Sequence, residues 1–422
     1  MRRSSALAGR TLFIAAAMAL VAALGVIFVR NLTDFAVYYA AGRSLLSGRI
    51  DLYAPDFARG VVMDYRYLPF FIVIFAPLSL APYPVAAWVW HLLNTAAIGL
   101  AVASLASMFS ELSYSRAKVW CVAFFIVVPY FAMALDYGNV QLIVTALMFT
   151  AMSLALRGRD LPGAALLSLA ITVKIIPALM LPYFVITRRW RFIGVVVLTT
   201  AALNLLPSIY FGVSGNRDLI ARWYAHVIVG QEFHEINGPI NLSLKGQLRR
   251  TLTNVDYTQR VDGDHRYAAI NIAAFSTRAI DRLWMAICAG LFIGGLVIIW
   301  RSPGAPGSDV RLDALQIGLL ICVMLCVGPL TYKVYLVALL WPVVAVGIAA
   351  WDDAAIRRAL IAVAITSSTL PLLPGRSMQR FLLVAGTDFY VSTAILALVA
   401  FTLVRASRPR SDTRGANSRV RH

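Results

Sequence analysis

Lysine is scarce in this 422-residue chain: only Lys118, Lys174, Lys245 and Lys333 are present, and arginine supplies the other 34 cations. Two of the four stand in strongly apolar surroundings, Lys174 in AITVKIIP and Lys333 in GPLTYKVYLVALLWP. A charge at such a place costs ~2.5 kcal/mol or more unless it is paired or solvated. Two readings follow. The ammonium groups snorkel to a headgroup layer, or they form a cationic site for an anion, most naturally a phosphate entering from lipid.

Carboxylates and amides supply the complementary chemistry. Asp34 opens TDFAVYYAAGRSLLSG, where Phe35, Tyr38 and Tyr39 could hold it against a membrane surface. It either caps the amphipathic helix that follows, a role worth ~1 kcal/mol, or takes a proton from a hydroxyl. Asp136, Tyr137, Gly138, Asn139 and Gln141 make a polar corner between two apolar runs. That corner reads equally as a plain turn or as amides and a carboxylate for sugar hydroxyls. Further on, His226, His234, Glu235, NLSLKGQLRR and VDGDH show no metal-ligand spacing. No nucleotide-binding glycine loop, GxSxG or nucleophilic Cys/His pair occurs, so neither metal nor cofactor is expected.

The elements that must position these residues follow from composition. The chain is 60% hydrophobic and 14% charged, against ~25% charged in soluble domains, so lipid is its solvent. The formal charge of +18 lies in short runs beside apolar segments, a pattern that fits anionic headgroups and excludes nucleic acid as a partner. Cys121, Cys288, Cys322 and Cys326 all fall inside apolar runs and read as buried small hydrophobes rather than disulfides. The N-terminal MRRSSALAGR and its apolar continuation read as an uncleaved first helix.

Threading the chain with basic loops on the cytoplasmic side predicts an all-α polytopic protein of about 12 spans, both termini inside. It is a single transmembrane domain over residues 1–405, followed by a basic cytoplasmic tail at 406–422. Amphipathic helices are expected in the outer loops 30–67 and 212–282, and Leu68 to Pro84 reads as an interfacial or re-entrant helix. Between the basic runs at Arg157 to Asp160 and Arg188 to Arg191 lie only 27 residues, broken by Lys174 and Pro177. Both runs favour the cytoplasm, so two short helices should meet near Lys174, with the apex inside the bilayer. No internal repeat is evident. In this threading Asp34, Asp64, Arg66, Asp136, Lys174, Lys245 and Lys333 share the non-cytoplasmic side.

Six segments in order then resemble glycosyltransferase family 87, the polyprenyl-phosphate-mannose-dependent mannosyltransferases of the C-type (GT-C) superfamily. They are DFAVYYAAGRSLLSGRIDLY, YRYLPF with APLSLAPYPVAAWVWHLLN, DYGNVQLIVTAL, AITVKIIPALMLPYFVITRRWR, NLSLKGQLRR and GPLTYKVYLVALLWP. The resemblance implies a GT-C-type fold in the cytoplasmic membrane with its active site facing outside. It implies transfer of a hexose, most naturally mannose, from a polyprenyl-phosphate donor to a glycolipid or glycan, with inversion to an α-linked product. Asp34 would be the general base, and Lys174, Lys333 and Arg66 would meet the donor phosphate. Asp136, Tyr137, Asn139, Gln141, Asn241, Tyr332 and Tyr335 would contact acceptor or sugar. The chain departs from the family in three places: Tyr-Leu-Pro at residues 67–69 replaces a common Tyr-Pro-Pro, no histidine stands near Lys333 or Tyr335, and GNVQ replaces GQxN. A flippase or transporter of a lipid-linked saccharide would share the intramembrane lysines but need no general base.

Overall fold

The computed structural model describes residues 19, 21–48, 51–54, 64–109, 115–230, 236–256, 267–302 and 309–407. His234, Glu235, the VDGDH run, the beginning of the expected first helix and nearly all of the basic tail lie outside them. In chain order the helices are α1 (Val21–Phe28), α2 (Thr33–Leu46), α3 (Pro69–Phe75), α4 (Tyr83–Met108), α5 (Ser115–Tyr137) and α6 (Gln141–Leu156). Then come α7 (Asp160–Val173), α8 (Leu181–Ile186), α9 (Trp190–Leu205), α10 (Ser208–Trp223), α11 (Leu244–Leu252) and α12 (Thr277–Arg301). The last five are α13 (Val310–Val327), α14 (Leu340–Ala350), α15 (Ala354–Thr369), α16 (Arg376–Ala385) and α17 (Thr387–Ala406). No strand occurs among the described residues. The protein is an all-α, polytopic membrane protein.

The span count differs from the expectation. Seven helices are long and apolar enough to cross a membrane, and up to nine if each of two bent pairs is one span. Most of the shortfall lies in α6 and α7, of 16 and 14 residues. At ~1.5 Å per residue these reach roughly 24 and 21 Å, against ~30 Å of hydrocarbon. Both are apolar, and both pack against neighbouring helices.

The break expected between the two basic runs falls at Lys174. There α7 ends with the lysine in an extended conformation (φ −148°, ψ 120°). A tight 3₁₀ turn, Ile176–Met180, leads into α8. At the far end of this hairpin Arg189 forms an ion pair with Asp160, so the two basic runs do meet. Arg157 also donates to Ser107 at the C-terminus of α4 (2.6 Å). One end of the group α4, α6, α7 is therefore arginine-rich, and Lys174 marks the other.

Two helices shape the opposite half. In α13 and the Lys333–Ala350 segment, 78% and 72% of residues are buried in protein, against 17% for α12, which turns its apolar surface outward. The expected last span from Phe381 starts later than predicted. Gly386 adopts a left-handed conformation (φ 81°) that separates the short, amphipathic α16 from α17. Such a φ suits glycine alone without strain. At its far end, Arg405 pairs with Asp353 at the N-terminus of α15. Lys333 and Asp388 thus stand at the ends of their helices remote from that arginine.

Candidate active site

Asp34 does not cap α2. The N-cap position belongs to Leu32, which offers no side-chain hydrogen bond, and Asp34 lies inside the first turn, buried to 8% exposure. Leu32 itself is left-handed (φ 34°, ψ 47°), an unfavourable conformation for a leucine that costs about 1–3 kcal/mol. Two contacts hold it there. Its amide donates to the carbonyl of Asp136 (2.9 Å), and a Cβ on Gly138 would come within 2.9 Å of its side chain and of Phe35. Gly138 (φ 62°) allows that close approach, and Trp90 donates to its carbonyl (2.7 Å). The polar corner is therefore a turn and a docking surface together.

From this turn a line of hydrogen bonds joins the acid to the lysine. Asn139 donates to Asp34 Oδ2 (2.6 Å) and accepts from the amide of Gln141 (2.8 Å). The Gln141 side chain then accepts from Lys174 Nζ (2.9 Å) and donates to Thr145 (3.3 Å). Lys174 Nζ also sits 3.8 Å above the ring of Tyr335, a favourable cation–π placement. Both ends of the line are ionisable side chains, and the links between them are neutral amides.

Around Asp34 stands an aromatic wall. Phe35, Tyr38, Phe71, Phe75 and Trp90 pack edge to face or tilted, and Tyr38 and Tyr67 share a hydroxyl hydrogen bond (2.7 Å). We read α2 as lying outside the spans, since it leaves the axis of α1 by 80°. Burial raises the Asp34 carboxyl above the usual carboxylate range, against the opposing pull of Asn139 and of the Lys174 and Arg66 charges. Arg66 is thus within electrostatic reach of the acid, and it also lies 3.9 Å from the Asp64 carboxylate.

The structure sorts the other candidates. Lys174, Gln141, Thr331 and Tyr335 line a narrow cleft walled by Met324 and Pro177. Lys333 does not line it. Its Nζ pairs with Asp388 (3.2 Å) and borders a second cavity. Of these two cavities one is lined by Lys174 and the other by Lys333, Asp34 lines neither, and Asp34 reaches Lys174 through amides. Asn241 is spent on structure: its amide donates to Ile236 and Pro329 carbonyls and accepts from Ser243 and Thr331 (2.9–3.1 Å). It thereby fixes the strand of chain leading to Tyr332 and Tyr335, whose rings lie 5.7 Å apart. Asp136 accepts from Asn31 (2.9 Å), and Tyr137 is 37% exposed. Lys245 faces Asp281 (3.8 Å) and Trp284, beside the two-pronged Arg249–Asp281 pair that ties α11 to α12.

Sequence reasoning missed Asp388 and the Tyr38–Tyr67 pair. A signal for the first existed, because an aspartate inside the apolar run from Phe381 is costly unless it has a partner. Among the described residues no group of three or more His, Cys, Asp or Glu side chains could hold a metal ion.

Comparison with known proteins adds the family. The sequence profile of glycosyltransferase family 87 matches residues 65–329, well over half of the chain and including Arg66, Asn139, Gln141 and Lys174. Asp34, Lys333 and Asp388 fall outside the matched range. Two curated relatives are polyprenol-phosphate-mannose-dependent alpha-(1-2)-phosphatidylinositol pentamannoside mannosyltransferases. The one from Mycobacterium tuberculosis is 27% identical over 285 residues, covering 64% of this chain and 60% of the relative. The one from Mycolicibacterium smegmatis is 27% identical over 235 residues, 53% of each. The chain thus spans between about half and three-fifths of these relatives' lengths. No solved structure matches. With the six segments in order and a match over most of the residues that build the site, this chain belongs to glycosyltransferase family 87.

Proposed function

We propose that the chain is a membrane mannosyltransferase, taking mannose from a polyprenyl phosphate and giving it to a glycolipid or glycan hydroxyl. One observation carries the reading: a buried carboxylate and an intramembrane ammonium are joined end to end through Asn139 and Gln141. Family membership and the printed activity of both curated relatives support the donor class.

The chemistry needs a base on one side of the anomeric carbon and a cation on the other. Asn139 engages one Asp34 oxygen, and the second has no hydrogen bond among the described residues. That oxygen takes the proton of the acceptor hydroxyl. The acceptor oxygen forms a bond to C1 as the bond from C1 to the phosphate oxygen breaks, and the electron pair leaves with the phosphate. Lys174 and Arg66 neutralise the charge that develops there, an effect worth several kcal/mol in a dry site. Attack opposite the leaving group turns a β-linked donor into an α-linked product.

The lysine has the right neighbours for this task. Its partners are an amide oxygen and a ring face, so its charge is solvated but not cancelled. A phosphate can displace the amide contact and gain a charge-assisted hydrogen bond. A polyprenyl tail needs only an apolar approach to Lys174, and Met148, Ile176 and Met324 line the cavity beside it. We place the site on the outer face of the cytoplasmic membrane, since it lies at the ends of α6 and α7 remote from the arginine-rich turns.

Incubating membranes that contain the protein with radiolabelled polyprenyl-phosphate-mannose tests the reading. Label should appear in a glycolipid or glycan with wild-type protein and not with Asp34→Asn. Equal labelling by both, or none by either, would refute it.

A further inference from the structure

Beyond the transfer site, the chain holds a second cavity, of about 200 Å³ and open to its surroundings. It lies on the other side of the Thr331–Tyr335 segment. Tyr335 faces the Lys174 cavity and Lys333, two residues earlier, faces this one. Its polar side chains are Lys333, Asp388, Thr366, Ser367, Gln379 and Thr387. Apolar surface from Met133, Leu370, Pro371, Leu382, Leu383 and Val391 completes the wall.

The charges in it cancel. Lys333 Nζ is 3.2 Å from Asp388 Oδ2 and 5.9 Å from the ring centre of Tyr130. Tyr130 donates to Asp388 Oδ1 (3.1 Å), and the single Ser367 hydroxyl hydrogen is shared between the carbonyl of Ile126 (2.8 Å) and the Tyr130 oxygen (3.3 Å). Side chains of the pair remain 18% and 10% exposed, so a ligand can still touch both. An anion here would meet the Asp388 carboxylate beside the ammonium, and a cation the reverse. A neutral hydroxyl suits both at once, donating to the carboxylate and accepting from the ammonium. Adjacent hydroxyls on a ring match the neighbouring carboxylate, ammonium, Gln379 amide and threonine hydroxyls, and the apolar wall suits a ring's C–H face or an alkyl chain.

We infer that this second cavity binds the neutral sugar headgroup of a glycolipid, as a carbohydrate subsite separate from the donor site at Lys174. The inference rests on the reading that the chain transfers a sugar to a glycolipid. On that reading, the shared Thr331–Tyr335 segment lies between a bound glycolipid and the donor phosphate. Asp388 and Lys333 recognise hydroxyls here and take no part in bond making.

Binding can be measured without turnover. Full-length protein in lipid nanodiscs, free of glycoside detergent, is titrated with octyl α-mannoside and separately with octyl phosphate by calorimetry. The mannoside should saturate one site, weakened roughly ten- to a hundredfold by Asp388→Asn and measurably by Gln379→Leu. Gln379 is exposed on α16 and outside the ion pair, with its amide nitrogen donating to the Pro371 and Leu373 carbonyls and its amide oxygen left for a ligand, so its replacement tests the cavity even if Asp388→Asn fails to fold. Lys174→Met should leave mannoside binding as it is. Preference for octyl phosphate, or mannoside binding that survives Gln379→Leu and disappears with Lys174→Met, would overturn the inference. Mannoside binding that follows this pattern in a protein that transfers no mannose would keep the subsite and remove the proposed function instead.

Discussion

Lys174 and Lys333 occupy equivalent positions, each at the end of an apolar helical segment remote from the arginine-rich turns, yet their surroundings make them different groups. Lys333 has a carboxylate at 3.2 Å and a second acceptor network behind it through Tyr130 and Ser367. Lys174 has an amide at 2.9 Å and a ring face, and its nearest carboxylate partner, Asp34, is two amides away. The first charge is cancelled in place. The second is held ready for a ligand. An intramembrane lysine is thus informative only together with what touches it, because its partner decides whether charge is left over.

Asp34→Asn should show the largest effect. Losing the base lowers transfer by roughly 10²–10⁴-fold, measured as initial rate on a labelled donor, with the donor still bound. Next comes stability, where the two lysines should separate. Lys333→Met leaves Asp388 charged and without its cation, at a cost of about 3–5 kcal/mol. Much of that should return in the double variant Lys333→Met with Asp388→Leu, read as thermal unfolding in nanodiscs. Lys174→Met removes an uncancelled charge and should leave the melting temperature equal or higher. A loss of stability at Lys174 comparable to that at Lys333 would erase the distinction between the two sites.

Smaller effects sharpen the line between acid and lysine. Gln141→Leu should lower transfer roughly tenfold, because Lys174 loses its positioning acceptor while keeping its charge. The pH profile gives a finer test. Burial raises the Asp34 carboxyl, and the active form is the carboxylate, so kcat/KM should fall as pH drops through a value above the ordinary ~3.9 of aspartate. Asn139 pulls in the opposite direction. Asn139→Ala should therefore move that acidic limb to higher pH, and an unmoved or lower limb would separate Asn139 from the base.

Most of the fold can be read from the sequence where charge and hydropathy act together. The helix break at Lys174 follows from two arginine runs too close together for a single crossing, and the Arg189–Asp160 pair shows both ends of the hairpin side by side. The span count is less legible, since α6 and α7 are apolar throughout but too short, and hydropathy does not measure reach. For the site, residue types suggest Asp34 and Lys174 but not how they are linked. Asn139 and Gln141 read equally as turn residues, and only the left-handed Gly138 and Leu32, packed on each other, bring the turn against α2. Asn241 has the composition of a sugar ligand and proves to be a fully bonded tie. Lys333 could be assigned to the donor phosphate while Asp388, 55 residues further along the chain, remained unnoticed as its partner.

The most direct test of the central claim separates donor capture from bond making at the two ends of the hydrogen-bonded line. Purified protein in nanodiscs is mixed with labelled polyprenyl-phosphate-mannose, and bound donor and transferred mannose are counted in the same sample for Asp34→Asn and Lys174→Met. Asp34→Asn should retain bound donor and form almost no product, while Lys174→Met should lose bound donor and product together. If both variants lose donor equally, or if Lys174→Met binds donor as wild type does, the carboxylate and the ammonium are not the two poles of one transfer site.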